Sequence, residues 1–433
     1  MDAEKLTEKY ISIMKNPPTN NELINILSGS PIGKLIDIYS DVATPNVPIE
    51  LTMPHIMSLV SACMTRKKSK NQYTSELKIY SEIITPYERL CGKDLQACWQ
   101  QGTMDGFHTM NLCIAPSSAG KSGGGITKYA LNHLGLKMCG GGSKEGIMDS
   151  ILANPDKSIV IQIEEFQSYL NTQSYKNEVI SFLTDLYTSG QINEVYSKIN
   201  KGGNRISNYA YPIFICFAQN GIFESTVNQK ESDNGFLGRC LITLLDETPS
   251  NAPNRNRKYQ DIEVLPIVKP YLDIYGPQIM PAHIIAAHDY MLQNPTCEKS
   301  MLPTYRRLIP QSFPRFASYI GCKINPSQED WDKAMYLTSW YFGQSQRAFD
   351  LLGKNLNPFE QKCRIVEVSI INAIQKLVEQ NTPTTISNIC RKNKIYEKSD
   401  KKIRKAAFEN LLDSEKIIVK NIGENEMYFN HIS

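Results

Sequence analysis

Eight consecutive residues, Ala115-Pro116-Ser117-Ser118-Ala119-Gly120-Lys121-Ser122, have the types and spacing of a loop that grips phosphate. Such a loop closes on a helix N-terminus and turns several backbone N–H groups inward. Gly120 lets the backbone approach an anion without a Cβ, Lys121 neutralises the β and γ oxygens of a triphosphate, and Ser122 ligates Mg²⁺. Ala115 stands where a first glycine is common. The apolar run MNLCIA (110 to 115) leads into the loop and the helical stretch KYALNHL (128 to 134) follows it. That strand, loop, helix context favours phosphate binding over a turn that is merely rich in small residues.

Three further strand ends carry side chains suited to the same chemistry. The run SIVIQI (158 to 163) ends in Glu164-Glu165, about 40 residues beyond the loop. One such acid holds the Mg²⁺ shell and the other polarises the attacking water. Glu164 is assigned to the metal and Glu165 to the base, and the sequence leaves their exchange open. PIFICFA (212 to 218) ends in Gln219-Asn220. A polar side chain there can hydrogen-bond the γ-phosphate or the lytic water, with Asn220 the first choice and Gln219 the second. Arg239 precedes the run CLITLL (240 to 245) and is the candidate for a finger that reaches a neighbouring subunit's nucleotide. Between the acids and Gln219, the stretch 193 to 208 places Lys198, Lys201 and Arg205 around Gly202-Gly203. It reads as a hairpin or loop, equally consistent with a solvated turn and with a grip on a nucleic-acid backbone.

Positioning these groups requires a sheet with crossover helices, which is how apolar runs alternating with helical patterns read. The runs are apolar almost throughout, as expected of strands buried on both faces. The predicted fold is an α/β P-loop NTPase core of the ASCE type (additional strand, catalytic glutamate), with a parallel sheet and flanking helices. It occupies 106 to 260. A helical region over 1 to 105 precedes it, with helices around Leu23 to Leu27, Ile32 to Val42 and Pro54 to Met64. A helical continuation or lid follows over 261 to 355, with helices around His283 to Leu292, Tyr305 to Ile320 and Asp330 to Leu351. Arg315 on the second of these could serve as a further phosphate sensor.

Residues 358 to 433 read as a separate winged helix. Its first helix, from about Gln361 to Glu379, has apolar positions Ile365, Val368, Ile371, Ile374 and Val378; Thr384 or Thr385 can cap a second, Ser399 can cap a third, and a hairpin turning at Gly423 to Asn425 ends the chain. The third helix carries Lys401, Lys402, Arg404 and Lys405, a face suited to DNA or to a protein partner.

Composition narrows the class without choosing a partner. With 47 basic and 44 acidic residues the net charge is +3, too near neutral to argue for or against nucleic acid. The 11 cysteines form no CxxC pair and the scattered histidines no HExxH, so no transition metal is expected. No apolar run approaches the roughly 18 residues of a membrane span, and the polar start MDAEKLTEKY is unlike a signal peptide; no membrane contact and a cytoplasmic location are expected.

The succession APSSAGKS, GGGSKEGIMDSI (140 to 151), IQIEEF, FLTDLYTSGQ (182 to 191), IFICFAQN and GFLGR resembles the helicase-like P-loop ATPases of prophages, phage satellites and mobile genetic elements over roughly residues 30 to 350. The resemblance implies an ATP- and Mg²⁺-dependent DNA helicase or translocase. It would form a ring, expected to be a homohexamer, and act in replication of the element on single-stranded or forked DNA or origin duplex. Many relatives carry a primase on the same chain; none is visible here, so a separate primase or initiator is implied. The competing function is an ATP-switched initiator that assembles on an origin without processive unwinding.

Overall fold

Continuous apolar runs become strands buried on both faces of one sheet. In the computed structural model they are β1 (Met110–Ala115), β3 (Ile159–Ile163), β6 (Ile213–Gln219) and β7 (Cys240–Leu244), joined by β2 (Lys137–Gly140), which the sequence did not announce. The residues described are 3–43, 47–64, 107–117, 119, 125–153, 159–166, 176–189, 192–194, 205–207, 213–220, 223, 236–247, 263–274, 280–354, 358–380, 382–413, 417–422 and 425–430. All five strands are parallel, in the order β2-β3-β6-β1-β7. β1 and β7 are buried at every position, whereas the edge strand β2 is exposed or half-buried throughout. Flanking helices complete an α/β core compatible with a P-loop fold.

The register fixes which ends meet. Ala115 is level with Gln219, Ile163 with Cys216, and Met110 with both Phe214 and Cys240. Because the strands are parallel, the residues that follow β1, β3 and β6 leave by one edge, while Arg239, just before β7, lies at the other. A short antiparallel pair, β4 (Ile192–Glu194) with β5 (Arg205–Ser207), stands apart from the sheet and agrees with the hairpin reading of 193 to 208.

Before the sheet come α1 (Ala3–Lys15), α2 (Asn20–Leu27), α3 (Pro31–Ala43) and α4 (Ile49–Met64). Thr19 and Glu22 form a reciprocal capping box that starts α2. α4 begins five residues before the expected Pro54, and every one of its residues is buried. Proline inside a helix leaves the carbonyl four residues back without its donor. Here that carbonyl belongs to Glu50, and the Cys113 thiol of β1 donates to it at 3.7 Å. The polar side chains of α4 are likewise engaged: Ser58 accepts from Asn111 at 2.8 Å, Ser61 donates to the Phe107 carbonyl, and Glu50 accepts from Asn20 at 2.7 Å. His55 lies between the rings of Tyr39 and Phe217.

Around and beyond the strands run α5 (Gly125–His133), α6 (Lys144–Leu152), α7 (Lys176–Ser189), α8 (Val264–Val268), α9 (Ala282–Gln293), α10 (Leu302–Arg307), α11 (Phe313–Gly321) and α12 (Gln328–Lys354). The helix expected over Tyr305 to Ile320 is interrupted by a π-helical turn at Leu308–Ser312. Pro310 and Pro314 both lack the N–H that an unbroken α-helix there would need. α12 supports the edge strand β7: the Leu244 N–H donates to Gln344 Oε1 at 3.0 Å, and Arg347 pairs with Asp246. Among the described residues no helix is long and apolar enough to cross a membrane.

The chain divides into two compact units, one of residues 1–297 and 301–350, the other of 298–300 and 351–433. The second contains α13 (Pro358–Glu379), α14 (Ile386–Lys392), α15 (Lys394–Lys398), α16 (Lys401–Asp413) and an antiparallel hairpin of β8 (Ile417–Ile422) and β9 (Asn425–Asn430). Its core is built on Cys363, Val366, Ile370, Ala373, Ile374 and Leu377 of α13. The expected apolar stripe is therefore corrected, for Ile365, Val368 and Val378 are exposed. Thr385 caps α14, accepting from Asn388 N–H. α16 starts one residue later than expected: the Asp400 carboxylate accepts from the Lys402 N–H at 2.7 Å, and Ser399 instead donates to the Ile395 carbonyl of α15.

Candidate functional site

The first half of the phosphate-like loop grows out of the most buried strand in the protein's sheet. Ala115 is fully buried, Pro116 half-buried and Ser117 exposed, and the Ala119 N–H turns back to the Pro116 carbonyl at 3.4 Å. Ser118, Gly120, Lys121 and Ser122 lie outside the described residues. α5 picks the chain up at Gly125 and is anchored from behind, where Tyr39 of α3 and Thr127 share a buried hydrogen bond of 2.7 Å.

Two strands away, Glu164 and Glu165 turn out of the end of β3, and both are exposed. Neighbouring strands are about 4.8 Å apart, so the acids leave the sheet about 10 Å to the side of β1, on the same edge. Glu164 accepts a bond from Gln162 on its own strand. Glu165 makes no hydrogen bond or ion pair with any described residue. Phe166 follows them inward, fully buried and stacked on Phe236 with ring centres 5.2 Å apart.

Between loop and acids, β6 delivers Gln219 and Asn220, both half-buried. The Asn220 amide reaches across the end of β1 and donates to the Leu245 carbonyl at 2.9 Å, while its Oδ1 is buried with no partner among the described residues. Leu245 in turn donates its N–H to Ile114 at 2.9 Å. The ends of β6, β1 and β7 are thus tied together directly beneath the root of the loop.

The opposite edge is organised differently. Arg239 closes a single 3₁₀ turn, Leu237–Arg239, and is half-buried. β1 spans about 17 Å between its ends at 3.3 Å per residue, so Arg239 stands a whole sheet's height from the loop of its own chain. Burial, then the like charge of Arg307, lowers the Arg239 guanidinium from its usual range, partly offset by Tyr187, Cys240 and Asp185. Arg315 does not join the candidate phosphate site. It is 3 % exposed and donates through one terminal nitrogen to the His108 carbonyl at 2.7 Å and to Tyr187 Oη at 2.8 Å, which ties it to the start of β1. The pairing of Arg239 with Arg307, Asp185 and Tyr187 had no signal in sequence, because those residues come from three separate segments.

The remaining expected contacts are dispersed. Lys198 and Lys201 lie outside the described residues, and Arg205 begins β5 with only its backbone described. In the second unit Lys401 and Lys402 are exposed on the first turn of α16. Arg404 lies over the Tyr396 ring at 5.5 Å, and Lys405 is 3.7 Å from Glu409. Comparison with models of known protein families and with curated proteins finds no match to this chain.

Proposed function

We propose that this chain is an ASCE-type P-loop ATPase that works as a DNA helicase or translocase in an oligomeric ring, hexameric in the simplest case, in replication of a phage or mobile element. The observation that carries the reading is the strand order. The loop strand β1 and the acid-bearing strand β3 are separated by one strand, β6, whose end offers Gln219 and Asn220 between them. That is the arrangement an ASCE site needs, and four separate sequence motifs converge on it.

The donor set suits Mg²⁺ and a triphosphate: hard carboxylate oxygens at Glu164 and Glu165, a serine hydroxyl at Ser122 and a lysine at Lys121. When bound, MgATP supplies a phosphoryl group that water can attack. Lys121 and the loop N–H groups bind the phosphates, and Ser122 with Glu164 holds the metal. Glu165, exposed and uncommitted, accepts the proton of the attacking water at its carboxylate. Gln219 or Asn220 orients that water or the terminal phosphate. Arg239, on the far edge of its own sheet, serves a neighbouring copy instead.

The second unit fits a winged helix, with α13, α14 and α16 as its three helices, α15 as an insertion and β8–β9 as the wing. Lys401 and Lys402 sit at a helix N-terminus, where the helix dipole disfavours cations. A gain elsewhere must offset that cost, and DNA phosphate is the fitting partner.

Calorimetry tests the ATPase reading, and Mg²⁺-dependent nucleotide uptake that disappears in Lys121→Ala is expected; its absence in the intact protein overturns the reading. DNA should stimulate hydrolysis, and a forked duplex should be unwound. Hydrolysis without unwinding, together with origin-bound Glu165→Gln assemblies that retain function, would move the conclusion to an ATP-switched initiator.

A further inference from the structure

A second arginine occupies the surface that carries Arg239. α10 packs on the 3₁₀ turn 237–239 closely enough that a Cβ placed on Gly238 would lie 3.8 Å from Pro303. Pro303 and Arg307 are four residues apart, so they share one face of α10, the face turned toward Arg239. Both arginines are half-buried, which restricts where their guanidinium groups can point. Arg306, beside them, is exposed, and Asp185 is the carboxylate among the described residues that acts on Arg239. The platform below is stiff. Arg315 bonds Tyr187 Oη and the His108 carbonyl, and the His108 ring bonds the Tyr187 carbonyl at 2.9 Å. Both Arg315 bonds go to neutral oxygens, so this buried cation adds to the positive field.

Like charges held together by a rigid scaffold are unfavourable until an anion joins them. A triphosphate answers that need, since its terminal oxygens can accept two guanidinium forks at once. We propose that Arg239 and Arg307 act as a pair, carried by the turn 237–239 and by α10, and that together they clasp the terminal phosphate held in the loop of an adjacent copy of this chain. The pair rests on the finger reading of Arg239 and extends it to a residue 68 positions further along the chain.

Mixed oligomers test the pair. Arg307→Ala and Arg307→Gln should each bind a fluorescent ATP analogue normally yet lose about 10²- to 10³-fold in turnover, with melting temperatures near that of the parent protein. Arg307→Lys should recover part of the turnover and Arg307→Met none, a split that a packing role would not produce. Mixing Arg307→Ala with Lys121→Ala should restore activity, because an intact loop then meets an intact pair. Mixing it with Arg239→Ala should restore none, since every interface lacks one arginine. If Arg239→Ala hydrolyses normally, the finger reading itself fails. Should Arg239→Ala be inactive while Arg307→Ala turns over like the parent, or should the two variants complement each other, the finger survives and the pair is refuted. Loss of DNA affinity with unchanged DNA-free turnover would assign Arg307 to nucleic acid and equally refute it.

Discussion

The two edges of the parallel sheet use polar residues in opposite ways. At the edge where β1, β3 and β6 end, Glu164, Glu165 and Ser117 face solvent, and Glu165 has no partner among the described residues. At the edge where β1 begins, Phe107 and His108 are gripped from several sides: Ser61 and Tyr319 both donate to the Phe107 carbonyl, and Arg315 donates to that of His108. One edge keeps its polar groups available for a ligand, and the other spends them on holding the strands. The same residue type consequently means different things at each, as Arg315 illustrates.

Substitutions at the two edges should therefore fail in different assays. The largest effect is expected for Glu165→Gln: turnover falls about 10³-fold, within the usual range for a lost general base, while the urea midpoint stays put. A matching loss of stability would show that Glu165 is structural. Arg315→Ala should do the reverse. It strands the His108 carbonyl and the Tyr187 hydroxyl in a buried site and should cost about 3 kcal/mol in equilibrium unfolding, with nucleotide affinity of the folded fraction unchanged. Normal stability in that variant would break the comparison.

Smaller changes sharpen it at the boundary. Asn220 is the exception on the ligand edge, since it already holds Leu245. Asn220→Ala should cost about 1 kcal/mol of stability, whereas Gln219→Ala should leave stability intact and slow turnover; the opposite pattern would make Asn220 the dedicated sensor and Gln219 the brace. Least affected should be Tyr39→Phe. Losing its bond to Thr127 removes about 1 kcal/mol from the anchorage behind α5 with at most a few-fold weaker nucleotide binding, read by calorimetry.

Much of this was legible in the chain itself, and the failures have physical causes. β1, β3, β6 and β7 were readable because strands buried on both faces must be apolar throughout, so their limits were placed within a residue or two. β2 escaped because an edge strand of four residues, none fully buried, has no apolar run to display. On α13 the stripe was misplaced because apolar residues occupy two faces of the helix, and spacing alone does not say which one meets the core. The strand-end motifs could be found because each adjoins the strand that carries it. Arg307 could not, since its relation to Arg239 exists only after α10 folds onto the turn before β7.

The complete enclosure of α4 bears on how this protein can be divided. A helix with no solvent face cannot be peeled away without laying bare the apolar underside of β1, β6 and β7. A truncation that begins at the first strand would thus yield an insoluble fragment in place of a minimal motor, and any dissection of the first unit has to carry its opening helices along.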